Sequence, residues 1–355
     1  MQITTLLAAG ALALTIPGDG APLELAIPYK AGLGLQMSVE SEYTSETTAF
    51  TMTRDGEETD MTDRMGGPSV TTRTIVIADR YSEVEDGKPM AAMRFFETLG
   101  EASERSMRGE MVESERSTPL EGVTLALTIE DGDVTAEVED GDSPDDDSLL
   151  EGLTMTLGLE GLLPLDEVEA GASWSVEGAG LMAALGYDVE AQLFPAPVRE
   201  EGEGGPRGRG GPRGGAGGGP GEMMRGADWD LEATLGDEPK EVDGVSCLVI
   251  ELKGDGTYEL PERTFGGGGG PGGRALVLEP TPLLGGTANI EVEGTLLLNS
   301  ETHMPISLSL EVGAHIEQLT ERSSERGDMS MQSTVEGTLL YEASFEVLAA
   351  KDTDE

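Results

Sequence analysis

His303 and His315 are the only imidazoles in a chain of 355 residues, so chemistry that needs a proton carrier titrating near neutral pH has two candidates. His303 falls in a loop expected between two strands. His315 lies between Ala314 and Ile316, on the polar phase of an alternating run, and spacing gives neither histidine a recognisable partner. A Ser-His-Asp triad needs a positioned nucleophile, and no G-x-S-x-G elbow, H-E-x-x-H zinc helix or Walker phosphate loop occurs. Both histidines are therefore expected at the surface, without a catalytic role.

Carboxylates are the other candidates. Pairs of them could divide acid and base work as in a glycosidase, but among 69 Asp and Glu close pairs arise by chance. Sugar platforms are usually aromatic, and the chain has 2 Trp, 6 Tyr and 6 Phe. The densest acidic run, Glu130 to Asp147, holds Asp131, Asp133, Asp140, Asp142, Asp145, Asp146 and Asp147 without one Lys or Arg. Calcium takes roughly six to eight oxygens, but the spacing misses the EF-hand pattern. A solvated hairpin turn followed by a helix start explains the run better. No metal and no cofactor is expected.

Cys247 is the only cysteine, which excludes an intrachain disulfide and a four-cysteine metal site. Its neighbours Val245, Leu248, Val249 and Ile250 mark it as a buried structural thiol. Arg207, Arg209 and Arg213 sit among glycines like an RNA-binding tract. No aromatics interleave, and Glu200, Glu201, Glu203 and Glu222 offset their charge, so the reading is a linker. A net charge of -47 repels phosphate backbones and anionic membranes, which argues against nucleic acid as a partner.

The elements that must position any site are strands. Leu33, Leu35, Met37, Val39 and Tyr43 alternate with polar residues, as do Val123, Leu125, Leu127 and Ile129. After the Asp131-Gly132 turn the latter pattern continues at Val134, Ala136 and Val138, which reads as a hairpin. A second hairpin turns at Asp86 to Pro89, between strands at 74–81 and 90–99. In the last third, alternating runs through 288–298, 306–316 and 329–347 read as a meander of long strands, with Gly294, Gly313 and Gly337 expected at bends or bulges. A short helix over 144–158 is expected from Pro144 and the aspartates that follow it, and another near 180–185. The expected fold is mainly β: a large curved antiparallel sheet or half-barrel with one or two short helices.

Residues 199–226 are almost wholly Gly, Pro, Arg and Glu, and 266–273 is a glycine run with one Pro. Neither has enough apolar residues to offset the entropy of ordering. The first separates 21–198 from 227–355, which we read as two halves of one sheet, because each alone would leave long open edges. The apolar run from Ile3 to Ile16, broken at Pro17, resembles a signal peptide over residues 1–20, although no Lys or Arg precedes it. Export to the periplasm or outside the cell is expected, with no transmembrane segment.

The segment Leu162 to Trp174 ends in a V-x-x-G-x-x-W phrase at Val168, Gly171 and Trp174. It resembles exported proteins of planctomycete-type bacteria. With the terminal meander the pattern resembles the lipoprotein-carrier half-barrels (LolA-like and LppX-like), in which a curved antiparallel sheet wraps helices over an apolar cavity. That resemblance implies a binding protein without catalytic residues. The glycine-arginine insert, the missing lipid-anchor cysteine and the acidity all depart from it. The leading expectation is thus a non-enzymatic exported protein that holds a hydrophobic ligand, lipoprotein-like cargo or envelope protein against the concave face, through Leu308, Leu310, Val312, Ile316, Leu339 and Tyr341. One alternative is a structural or interaction scaffold with a solid core, and another is a carboxylate-based hydrolase.

Overall fold

A computed structural model describes residues 22–107, 110–187, 189–195, 220–261, 264–265, 281–282, 285–324 and 327–349. The segment Ile3 to Ile16, Arg207, Arg209 and Arg213 of the insert and the glycine run 266–273 lie outside them.

The alternating runs become strands of one large antiparallel sheet. In chain order they are β1 (Gly34–Arg54), β2 (Glu57–Asp60), β3 (Ser69–Glu85), β4 (Lys88–Met107), β5 (Glu110–Ser117), β6 (Thr124–Glu130), β7 (Asp133–Asp140), β8 (Ser173–Val176), β9 (Asp228–Leu235), β10 (Lys240–Val242) and β11 (Val245–Leu260). A two-stranded pair, β12 (Thr264–Phe265) with β13 (Thr281–Pro282), is followed by β14 (Gly286–Asn299), β15 (Pro305–Ser324) and β16 (Gly327–Leu348). The 14-stranded sheet runs β7-β6-β4-β3-β1-β16-β15-β14-β11-β9-β8, with β2, β5 and β10 attached to β1, β4 and β11. It does not close. β1 pairs with β16 along nearly its whole length, from Gly34 opposite Leu348 to Arg54 opposite Met329, so strands from both sides of the insert share one sheet.

Four two-residue Asp-Gly turns set the hairpins: Asp55-Gly56, Asp86-Gly87, Asp131-Gly132 and Asp243-Gly244 all have positive φ at both positions. That is the mirror-image turn whose twist matches the strands it joins. The expected meander is β14, β15 and β16. The ladder runs through Gly294, Gly313 and Gly337 without a shift of register, contrary to expectation, and its irregularities fall elsewhere, as at Thr47/Ala49 and Leu297/Leu298. Gly294 and Gly337 serve close approach instead. A Cβ on Gly294 would meet Ser309 O at 2.4 Å, and one on Gly337 would meet the Tyr43 hydroxyl at 2.9 Å.

One face of the sheet carries the core, and the chain covers that face with its own segments. Leu25, Ile27 and Tyr29 lie over it, then Leu153, Met155, Leu157, Leu159 and Leu162, then Leu181, Met182 and Leu185 of and beside helix α1 (Gly178–Ala184). Helix α2 (Glu190–Leu193) brings Leu193 and Phe194. Helix α3 (Pro220–Gly226) buries Met223 and Met224. The last helix corrects the sequence reading at the end of the insert, because two adjacent methionines supply the apolar surface that the preceding glycines lack.

The expected helix over 144–158 is also corrected. Only Asp147–Leu150 forms a single 3-10 turn, capped by the Asp146 side chain accepting from Ser148 N. Beyond it Leu153, Met155 and Leu157 are buried in period two, with Thr154 and Thr156 between them. The leucines at 149, 153 and 157 fit both periods, but Gly152 and Gly158 adopt positive φ, and β-branched threonines favour extended backbone. The covering segments between Leu153 and Pro195 form a lid, whose extended first stretch meets α1 where Gly161 crosses Gly180: a Cβ on Gly180 would lie 2.4 Å from Gly161 O. Among the described residues no helix is long and apolar enough to cross a membrane.

The outer face is polar and carries like charges in register. Glu40 stands opposite Glu342, Glu293 opposite Glu311, and Asp255 opposite both Asp230 and Glu291. Such pairs repel across strands, and salt screens them. The melting temperature is therefore expected to rise when sodium chloride is raised from 20 to about 500 mM, a range over which the Debye length drops severalfold. A salt-independent or falling value by circular dichroism would contradict this.

Candidate functional site

The six residues expected to line a cavity do not share one environment. Leu308, Leu310, Val312 and Ile316 on β15 are buried core beneath the covering segments. Leu339 and Tyr341 on β16 are also buried, yet they border open space. The concave face is thus filled by the protein's own side chains over most of its width. The Tyr341 hydroxyl donates to Ala184 O at 2.9 Å, tying the sheet to the end of α1.

The open space lies where the lid stops. A cleft of about 210 Å³ is lined by Ser41 and Tyr43 of β1, Thr71 and Arg73 of β3, Glu101 of β4, Arg116 of β5, Tyr187 of the lid and Leu339. A smaller hollow of about 20 Å³ adjoins it, with Val39, Ile75, Leu185, Leu193, Phe194 and Tyr341 in its wall. Strand register explains the mixture. One row crosses the concave face as Arg116, Glu101, Arg73, Ser41, Tyr341 and Leu310, each opposite the next. The charged end sits on β5, β4 and β3, and the apolar end on β16 and β15.

Four charges close the polar end. Arg73 donates from Nε to Glu101 at 2.8 Å and from Nη2 to Glu190 of α2 at 2.8 Å, and its guanidinium lies 4.9 Å from the Phe194 ring centre. Arg116 bonds Glu101 and donates from Nη1 to the carbonyls of Phe194 and Pro195 at 3.2 and 3.0 Å. Burial pushes the Glu101 carboxyl up, but the bonds from Arg116 and Arg73 outweigh it and hold the group below the ordinary carboxylate value. Burial raises the phenols of Tyr43 and Tyr187, so both remain hydrogen-bond donors at neutral pH. The arrangement offers donors and an apolar wall.

A second polar cluster lies deeper. Asp79 and Arg94 face each other across the β3-β4 hairpin in a bidentate pair, Nε to Oδ1 at 2.8 Å and Nη2 to Oδ2 at 2.7 Å, and both are almost fully buried. Arg94 also donates to Thr154 O at 2.9 Å and Thr156 O at 3.3 Å, so its side chain holds the extended lid. The Tyr81 hydroxyl donates to Asp79 at 3.3 Å, Tyr81 stacks edge-on against Tyr29 at 4.8 Å, and the Tyr29 hydroxyl bonds Glu160. Sequence reading missed both clusters. A signal was present: Asp79 lies between Ile77 and Tyr81, and Arg94 between Ala92 and Phe96, on the inward phase of two strands joined by a recognised turn.

Elsewhere the candidates disperse. Cys247 is buried in β11, and its thiol donates to Val245 O at 3.4 Å. His303 sits at positive φ in the β14-β15 turn. His315 does have partners, a correction that register explains, since it faces Glu336 on the neighbouring strand. Nδ1 lies 2.6 Å from Glu336 and Nε2 lies 3.6 Å from Glu317. The bond to Glu336, with smaller contributions from both carboxylates, raises its pKa above 6.5. A raised folded value means that its small stabilisation is full below pH 6.5 and is lost as pH climbs through the folded pKa. An NMR titration is expected to place His315 above the ordinary histidine value, and a midpoint at or below 6.5 would contradict the pairing. Among the described residues no group of three His, Cys, Asp or Glu is arranged to hold a metal ion.

No protein-family model matches the chain, and no curated protein matches it. Among solved structures it is aligned with the InvG secretin domain β-barrel from the Salmonella SPI-1 injectisome NC-base, at 7% identity, over 91% of this chain and 65% of that one. The TM-score of that superposition is 0.16, too low to mark a shared fold.

Proposed function

We propose that the protein is a non-enzymatic, exported binding protein whose ligand site is the cleft at the lid's edge rather than the whole concave face. The observation that carries this reading is the lining: Leu339 with the adjoining Val39 and Ile75 on one side, and on the other Arg73 Nη1 and the Tyr187 hydroxyl, neither with a partner among the described residues. A few convergent polar groups beside apolar side chains are what small-molecule sites use. Raised phenols and neutralised arginines supply binding without acid-base chemistry. Sites for drug-sized ligands run from roughly 300 Å³ upward, so the cleft suits a small molecule or one end of a longer amphiphile. The half-barrel resemblance supports a hydrophobic component, and the apolar run at 3–16 supports export.

The test is native mass spectrometry of protein purified from its source, with organic extraction of whatever it carries, beside a Leu339→Trp variant that fills the cleft. A bound small molecule present in the wild type and lost in the variant supports the site. An empty wild type that also takes up no octyl amphiphile overturns it. A second reading, an envelope scaffold, is favoured by one observation: beyond the lid the strands continue, with Phe50, Met52 and Met331 only half-buried. Co-purification of a stoichiometric protein partner, lost on Met331→Lys but not on Leu339→Trp, would establish it.

A further inference from the structure

The charge balance inside the cleft assigns a class to the ligand. Resting on the binding role proposed above, we infer that the site takes a neutral amphiphile whose head offers an oxygen acceptor, an ester or amide carbonyl or a hydroxyl, in preference to a carboxylate or an ammonium. Two guanidinium groups line the polar end, and two carboxylates, Glu101 and Glu190, already hold them at hydrogen-bond distance. The local charges cancel. A carboxylate head entering here would put a third anion beside two cations already matched, in a molecule of net charge -47. An ammonium head would meet the like charge of the Arg73 and Arg116 guanidinium groups.

Donors remain available. The bonds of Arg73 use Nε and Nη2, which leaves Nη1 without a partner among the described residues, and the Tyr187 hydroxyl makes no hydrogen bond there either. Neither atom is sealed from solvent without a partner; that condition holds among the described residues only for Thr118 Oγ1 and Gln192 Oε1. Both donors are therefore reachable by solvent, on residues that line the cleft. An uncharged oxygen acceptor satisfies them without desolvating a net charge, which is the costly step in binding an ion. With water occupying about 30 Å³ per molecule, a cleft of about 210 Å³ admits a polar head and the first few carbons. The remaining tail would run along Leu339 toward Val39 and Ile75.

Three octyl compounds with one tail and three heads separate the outcomes: 1-octanoylglycerol, octanoate and octylammonium, titrated calorimetrically into the full-length protein at pH 7.5 and 150 mM salt. The expected result is binding of 1-octanoylglycerol at least tenfold tighter than either ion, with Tyr187→Phe weakening it about fivefold, the worth of one hydrogen bond of about 1 kcal/mol. Octanoate or octylammonium binding as tightly as the ester overturns the neutral-head inference and leaves the cleft a ligand site. An unchanged affinity in Tyr187→Phe removes the phenol from the head's recognition and overturns the inference as built. If none of the three binds, the binding reading itself falls.

Discussion

Replacing Arg94 by methionine lowers the unfolding free energy by about 3 to 5 kcal/mol, the usual cost of leaving one member of a buried ion pair alone. The side chain is bidentate to Asp79, and it is also the donor to the carbonyls of Thr154 and Thr156. Its loss strands a buried carboxylate and the Thr154 carbonyl together, while Thr156 O keeps the bond from Thr154 Oγ1 at 2.9 Å. Asp79→Asn should cost less, because the amide oxygen still accepts one guanidinium bond. Combining Asp79→Leu with Arg94→Met should recover part of the loss, since two apolar groups cancel the uncompensated charge, but not all of it, because the Thr154 carbonyl stays unpaired. Denaturant unfolding followed by circular dichroism reads all three. An Arg94→Met variant within about 1 kcal/mol of wild type would show that the pair is not what holds the lid.

The second large effect is expected from Leu162→Ala, at about 2 to 5 kcal/mol. Leu162 is fully buried where the extended stretch of the lid ends, and its carbonyl accepts from Trp174 Nε1 at 3.1 Å. Neighbouring collapse cannot refill the gap readily, because Gly161 and Gly180 already bring two backbones into contact beside it. The upper half of the range is therefore expected. A loss below about 1 kcal/mol, read from the same unfolding curves, would mean that the lid repacks as a soft layer.

How far the sequence discloses this molecule depends on which period it uses. Sheet and meander were legible because Ile290, Val292, Leu308, Leu310, Leu339 and Tyr341 alternate with polar residues over long runs and face inward without exception. Two of the four Asp-Gly turns were recognised, and Asp55-Gly56 and Asp243-Gly244 carried the same cue between weaker patterns. The lid was not legible. Leu149, Leu153 and Leu157 satisfy helical spacing as well as they satisfy an extended strand, and the extended form is also held by Arg94, some sixty positions earlier in the chain. The site was half legible. Leu339 and Tyr341 were named for their apolar phase, whereas Arg73, Glu101 and Arg116 belong to strand ends whose register only the folded sheet reveals.

The partnership of the earliest strand with the latest has a bearing on biogenesis. While a ribosome is still at work, β1 has β3 on one flank, but the flank destined for β16 is a bare row of amides and carbonyls, which is an invitation to aggregation. Contacts so distant in sequence form slowly. A nascent chain must therefore be kept from premature pairing until β16 emerges, and a molecule threaded across a membrane unfolded would meet the same deadline on the far side.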